Sequence, residues 1–214
     1  VIIGKEAASM LNGWGVNNTS LNQRSSTKNV TIGYQAAYSG NGQGNVSLGY
    51  QTAYSNFSGV QNTFIGYRTA HNLSGGTNIM ALGTLSGRFY NTFKSEKGRG
   101  TNEIFIGERS NYFGGMNSGT TSIGTYSAYK ATGLTSTIVI GQEAAWKATN
   151  QKSSIFIGEK AGWSASTGWD NVGIGTSSMS GASATSHIPT VTAVNAIGLQ
   201  AASSLKAAIG TIAI

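Results

Sequence analysis

The chain has 214 residues with 31 Gly, 1 Pro, no Cys and only 10% charged residues, against about a quarter in an ordinary soluble domain, a composition that argues against an ordinary enzyme. The lack of cysteine excludes disulfides, thiolate metal sites and cysteine nucleophiles. The net charge of +7 is scattered along the chain rather than gathered into a nucleic-acid stripe, and no apolar run approaches the roughly 20 residues of a membrane span.

The first predicted element is a strand, Val1-Ile2-Ile3, closed by Gly4 and followed by Lys5-Glu6-Ala7-Ala8. The same phrase returns as Ile32-Gly33-Tyr34-Gln35-Ala36-Ala37, Ile140-Gly141-Gln142-Glu143-Ala144-Ala145 and Ile197-Gly198-Leu199-Gln200-Ala201-Ala202. With its glycine as anchor, copies stand at Gly4, Gly33, Gly49, Gly66, Gly83, Gly107, Gly124, Gly141, Gly158, Gly175, Gly198 and Gly210. The intervals are 29, 16, 17, 17, 24, 17, 17, 17, 17, 23 and 12 residues. Such a period marks a stacked repeat.

Ile or Leu precedes every anchor, and the place two residues earlier is often apolar, as at Val30, Val46, Met80, Ile104, Ile138, Ile155 and Val172. Alternation with period two predicts a half-buried strand, with this Ile/Val row as its inner face. The third place after the anchor is small in every copy (Ala36, Thr52, Thr69, Ser86, Ser110, Ser127, Ala144, Ala161), which predicts a second short strand lying close to the first. Gly, Asn, Ser and Thr then turn the chain back, and the same residues weaken any helical alternative. The prediction is an all-β, parallel β-solenoid of about twelve coils over 1–214, each of about 17 residues, stacked about 4.8 Å apart. Loop insertions interrupt it at 10–28, 88–100 and 181–192. So thin a coil has a meagre core of its own, and three parallel columns wrapped together remedy that. Both ends fall inside repeats, so the expectation is a segment of a longer fibre.

Asn29-Val30-Thr31-Ile32-Gly33-Tyr34-Gln35-Ala36-Ala37 and Asn45-Val46-Ser47-Leu48-Gly49-Tyr50-Gln51-Thr52-Ala53 resemble the N-T-A-I-G-Y-x-A repeats of bacteriophage tail-fibre proteins. They are also similar to the S-V-A-I-G-x-x-A head repeats of trimeric autotransporter adhesins. Asn171-Val172-Gly173-Ile174-Gly175-Thr176 resembles a phrase common in phage fibres. The likeness covers nearly the whole chain outside the insertions. Coils longer than a typical adhesin-head repeat, and the lack of a neck motif or coiled-coil stalk, depart from the adhesin pattern, and the aromatic content after the anchor leans toward the phage. The resemblance implies a homotrimeric, left-handed β-roll or β-helix on a virion, partnered with other fibre or baseplate proteins.

Two kinds of place stand out as sites. The fifth residue after the anchor is Tyr38, Tyr54, His71, Arg88, Tyr112, Tyr129, Trp146 and Trp163 in eight successive coils, and Tyr34, Tyr50 and Tyr67 form a shorter row. Such ladders read either as a track on which sugar rings stack or as packing in a seam between subunits. The insertions are the second kind, since loops carry function on a solenoid. The first holds Trp14, Arg24 and Lys28, and the third holds His187 and Pro189. The second holds Arg88, Phe89, Tyr90, Phe93, Lys94, Lys97 and Arg99 against one Glu96. Basic and aromatic residues together suit an anionic glycan, and the bland alternative is a solvated loop. The candidate glycan-binding residues are therefore Arg88, Tyr90, Phe93, Lys94, Lys97, Arg99, Trp14, Trp146 and Trp163.

Chemistry has little to stand on. The acids are Glu6, Glu96, Glu103, Glu108, Glu143, Glu159 and Asp170, and Glu108, Glu143 and Glu159 read as surface charges opposite Arg109 or Lys160. His71 and His187 have no partner at metal-ligand spacing. No row of Asp suggests a calcium roll, and Gly173-x-Gly175 precedes no helix, so no metal, cofactor or dinucleotide is expected. The expected role is a structural, receptor-binding segment of a phage tail fibre attaching to bacterial polysaccharide or lipopolysaccharide, located on the virion. The alternatives are a bacterial adhesin head at the cell surface and a fibre-borne depolymerase. An ice-binding solenoid is disfavoured, because the place two before the anchor reads Ile2, Thr31, Ser47, Phe64, Ala81, Phe105 rather than an unbroken Thr ladder.

Overall fold

A computed structural model describes residues 1–7, 28–39, 42–55, 59–73, 75–88, 101–115, 117–182, 191–206 and 208–214. Most of each insertion lies outside these residues. The described residues contain short strands and turns and no helix.

Twelve strands build one parallel sheet. They are β1 (Ile2–Ile3), β2 (Val30–Ile32), β3 (Val46–Leu48), β4 (Thr63–Ile65), β5 (Thr77–Leu82), β6 (Thr101–Ile106), β7 (Thr121–Ile123), β8 (Ile138–Ile140), β10 (Ile155–Ile157), β12 (Val172–Ile174), β14 (Asn195–Ile197) and β16 (Ile212–Ala213). Each pairs with the next, as in Thr121↔Ile138 and Ile155↔Val172. The intervening β9 (Gln151–Lys152), β11 (Gly168–Trp169), β13 (Val191–Thr192) and β15 (Ala208–Ile209) form a second parallel sheet of four strands. Isolated bridges such as Ser118↔Thr135 and Thr135↔Lys152 carry that second sheet's pairing back toward earlier coils. The architecture is a parallel β-solenoid, one coil per anchor.

Glycine is required at the anchor by close stacking. Gly141 has φ 135, and its N–H donates to the Ile123 carbonyl of the preceding coil at 2.8 Å. A Cβ added there would lie 2.4 Å from the Gly158 carbonyl oxygen. Beyond the anchor comes not a second strand but a run of alternating backbone. The second and fourth residues have positive φ in coil after coil, as at Gln51 (49) and Ala53 (51) or Glu143 (55) and Ala145 (49). Among the described residues, none of the non-glycine positions with positive φ is Val, Ile or Thr, the types for which this region is most hindered. The strain is offset by hydrogen bonds between coils. Gln51 N–H donates to Tyr34 O at 2.9 Å in the coil before, and Ala128 N–H to Ala144 O at 2.8 Å in the coil after.

The interior is the reverse of the sequence expectation. The residue two before the anchor points inward: Thr31, Ser47, Phe64, Ala81, Phe105, Ser122, Val139, Phe156, Gly173 and Ala196 are all buried. It packs against the small residues three and four places after the anchor, including Ala36, Thr52, Ala128 and Ala144, all fully buried. The Ile/Val row expected inside faces outward. The places one and three before the anchor on β2 to β8, β10, β12 and β14 are half-exposed or exposed, reaching 47% at Ile197 and 40% at Met80. The coil is too narrow for two ranks of branched side chains. It admits one column of mixed size, and its hydroxyls bond to neighbouring coils, as Ser110 Oγ donates to Ser122 O at 3.0 Å.

A further correction concerns Gly210. Asn195 pairs with Ile212 and Ala196 with Ala213, so Gly210 stands five places before the next anchor position, not at one. It shares that place with Gly119, φ 62, its own φ being 63. The interval after Gly198 is thus the regular one.

Candidate cation–aromatic edge

The alternating run after each anchor sets the third and fourth residues inward and leaves the second, fifth and sixth at the surface. Stacking then aligns like places into rows. Tyr38 lies on Tyr54 with centroids 4.8 Å apart and planes within 3°, and Tyr54 lies on His71 at 4.9 Å and 6°. Arg88 takes the next place. Its guanidinium carbon is 5.7 Å from the centroid of Tyr112, and Nη1 donates to the Tyr112 hydroxyl at 2.9 Å. Tyr112 stacks on Tyr129 at 5.6 Å and 14°, and Tyr129 meets Trp146 at 4.4 Å with a 32° tilt. Arg88 is therefore a planar rung in a column of rings.

This geometry bears on how sugar could be met. Rings stacked at these distances cover one another's faces, so the column offers edges to solvent. Trp163, in the coil after Trp146, is 37% exposed, with no ring stacked on it among the described residues. The corresponding place in the next coil is Ser180. Trp163 is thus a candidate whose ring faces carry no other ring among the described residues. The shorter row behaves like the first, with Tyr34 on Tyr50 and Tyr50 on Tyr67, both at 5.2 Å.

Cations border the column. Arg109 lies 5.2 Å from the centroid of Tyr126, and its Nη1 donates to the Tyr126 hydroxyl. That bond holds the guanidinium above its ordinary pKa. Tyr126 in turn meets Tyr129 and Trp146 at 5.3 and 5.4 Å. Lys130 Nζ stands 5.6 Å from both the Phe113 and Tyr129 centroids. Burial raises the Tyr129 pKa. Lys147 follows Lys130 in the next coil, and both are exposed. The acids of this region are engaged: Glu108 with Arg109 at 3.4 Å, and Lys160 with Glu159 at 3.6 Å and Glu143 at 4.0 Å.

Of the predicted glycan-binding residues, Arg88 and Trp146 join this column, and Trp163 stands one coil beyond Trp146, outside the stacked rings among the described residues. Trp14, Tyr90, Phe93, Lys94, Lys97 and Arg99 lie outside the described residues. The flanks of the insertions are described, however. The second opens after Arg88 and closes at Thr101, and the third opens after Ala182 and closes at Val191. The flanks therefore place both insertions after the alternating run, one before β6 of the large sheet and the other before β13 of the second sheet. The first, between Ala7 and Lys28, spans the same stretch.

Sequence reasoning missed an asparagine row, half-buried at Asn29 and buried at Asn45 and Asn62. Asn29, Asn45 and Asn62 head β2, β3 and β4. Each Oδ1 accepts from the backbone N–H of the next coil at 2.8 to 2.9 Å, at Asn45, Asn62 and Ile79. Each Nδ2 donates to a turn carbonyl, Gly42, Gly59 or Gly76. The signal was present as the Asn that opens the Asn-Val phrases. Glu103 occupies the same place and is fully buried.

Comparison with protein-family models, with curated proteins and with solved structures returns no match.

Proposed function

We propose that the chain is a structural, receptor-binding segment of a phage tail fibre or related virion appendage, assembled as a homotrimer of left-handed coils. In this reading it joins other fibre or baseplate proteins and attaches to bacterial surface polysaccharide or lipopolysaccharide. One observation carries it: the outward ranks of the large sheet. Across ten successive strands, from β2 to β14, the twenty residues one and three places before the anchor comprise seventeen apolar residues, two Thr and one Asn, with no charge. This stripe measures roughly 45 by 10 Å, about the size at which an exposed apolar patch on a monomer calls for a partner. Three columns meeting along it bury the surface that the narrow interior leaves out.

Attachment rests on the cation–aromatic edge. Lys130, Lys147 and Arg109 present positive charge beside ring edges, whose hydrogens are also electropositive, and Trp163 presents a ring face. Acidic sugars and phosphorylated lipopolysaccharide cores match that pattern. Three copies of one edge turn weak contacts into avidity. The test is retention of the fluorescently labelled chain on lipopolysaccharide-coated and capsule-coated surfaces. The doubly substituted Lys130→Glu/Lys147→Glu chain is expected to lose most of that retention, by about tenfold or more, while keeping its assembled mass. Equal retention of both chains, or none by either, overturns the glycan-binding part.

A further inference from the structure

We infer that Thr63, Thr121 and Asn195 fix the axial register in which copies of this chain assemble. The inference rests on the homotrimer reading above. It arises from a difficulty that the regularity of the solenoid creates. Each outward rank repeats every coil, about 4.8 Å along the rod. The rank just before the anchor is Ile or Leu on all ten strands from β2 to β14. Sliding one copy past another by one coil brings Ile against Ile again, so an apolar stripe of this kind leaves the register weakly specified.

The rank three before the anchor is different. It reads Val30, Val46, Thr63, Met80, Ile104, Thr121, Ile138, Ile155, Val172 and Asn195. Its polar members stand on the third, sixth and tenth of these ten strands, β4, β7 and β14. Their separations are three and four coils, which are unequal. A slip of three coils sets Thr63 against Thr121 and leaves Asn195 against apolar side chains or past the end of the stripe. A slip of four matches only Thr121 with Asn195. No antiparallel alignment pairs all three. Only the parallel, in-register arrangement places each polar residue against its own copies.

Chemistry makes that arrangement the favoured one. A hydroxyl or carboxamide both donates and accepts, so like residues gathered around a common axis satisfy one another. Set against Ile, each would be a buried polar group with nothing to bond. A single polar residue in an apolar seam selects register in the same way between helices. The three residues are surface-facing strand positions, half-exposed at Thr63 and Thr121 and exposed at Asn195. They have no part in the interior of their own column.

The chain has no cysteine, so introduced thiols report cleanly. Two forms are co-expressed, one carrying Ile106→Cys on β6 and the other Ile140→Cys on β8, two coils apart in the sheet. A disulfide needs Cα atoms within about 7 Å. In register, disulfides therefore join like with like, and mixed 106–140 disulfides need a slip of about 10 Å. The expected result is mixed disulfides about tenfold rarer than like ones in the native background. With Thr63→Val, Thr121→Val and Asn195→Ile added to both forms, the assembled mass is retained and mixed disulfides rise several-fold. Mixed disulfides as abundant as like ones in the native background overturn the register assignment and leave assembly standing. So does an unchanged pattern in the triple variant. Monomeric mass with no disulfide between copies in either background overturns the homotrimer, and this inference with it.

Discussion

His71 is the rung of the ring column that changes charge between pH 5 and 8. It lies on Tyr54, its Nδ1 is 3.0 Å from Asn72 Oδ1, and Arg88 and Arg68 are the charged groups that act on it. Burial first, and then the two arginines, lower its pKa below the ordinary imidazole value, against the raising effect of the Asn72 contact. The folded chain therefore disfavours the imidazolium relative to the unfolded chain. The contribution is complete above about pH 6.5 and is lost as pH falls from there toward the lower folded value. The melting midpoint is expected to be lower at pH 5 than at pH 7, and the difference to shrink in His71→Tyr, which keeps a ring in the column. An unchanged pH dependence in that variant contradicts the assignment. At this scale much was legible. The anchor glycines were, because a backbone packed against backbone tolerates nothing else. The positive φ at places such as Gln51 and Ala53 was not, since Gln and Ala adopt many conformations. Only the absence of Val, Ile and Thr from those places betrays it.

Among the elements, the inward column holds the coil together, and Phe156 is its clearest member. It is fully buried on β10. Its ring is lined by glycines: a Cβ at Gly162 would come within 2.6 Å of it, and one at Gly173 within 3.3 Å. Glycine has no side chain that could move into a vacated space. Phe156→Ala is accordingly expected at the upper end of the range for such truncations, about 4–5 kcal/mol, measured by denaturant unfolding. A loss near 1 kcal/mol contradicts this picture of the interior. The strands themselves were legible from period-two alternation, but their facing was not. Alternation says that two faces differ without saying which one the chain closes on. Ile140 and Val139 are both apolar, and only the width of the coil decides that Val139 goes in. The second sheet was missed because strands such as Gln151–Lys152 and Gly168–Trp169 are two residues long, too short to show a period. Gly210 was misplaced because an Ile-Gly pair recurs there by composition, and the pairing of Ile212 with Asn195 is what reveals its place.

At the scale of the molecule, the fold was legible in the sequence and the partner was not. Intervals of 17 residues gave the stacking. The rows of Tyr, His, Arg and Trp foretold a column, and the structure turned its rings face to face. On the proposed reading, that moves recognition from ring faces to ring edges, bordering cations and Trp163. Among the described residues, the outward Ile and Val ranks are a long apolar feature that the coil itself leaves exposed. On this account they are where copies meet, and the cation–aromatic edge is where a bacterial surface is met. The two roles occupy different stretches of each coil, the strand before the anchor and the alternating run after it. The most direct measurement is the mass of the full chain in solution by light scattering. The account predicts one species at three times the 22.1 kDa of the chain, falling to a single chain when Ile123, Ile140 and Ile157 are replaced by Glu. A native chain that stays at 22.1 kDa across the micromolar range would contradict it.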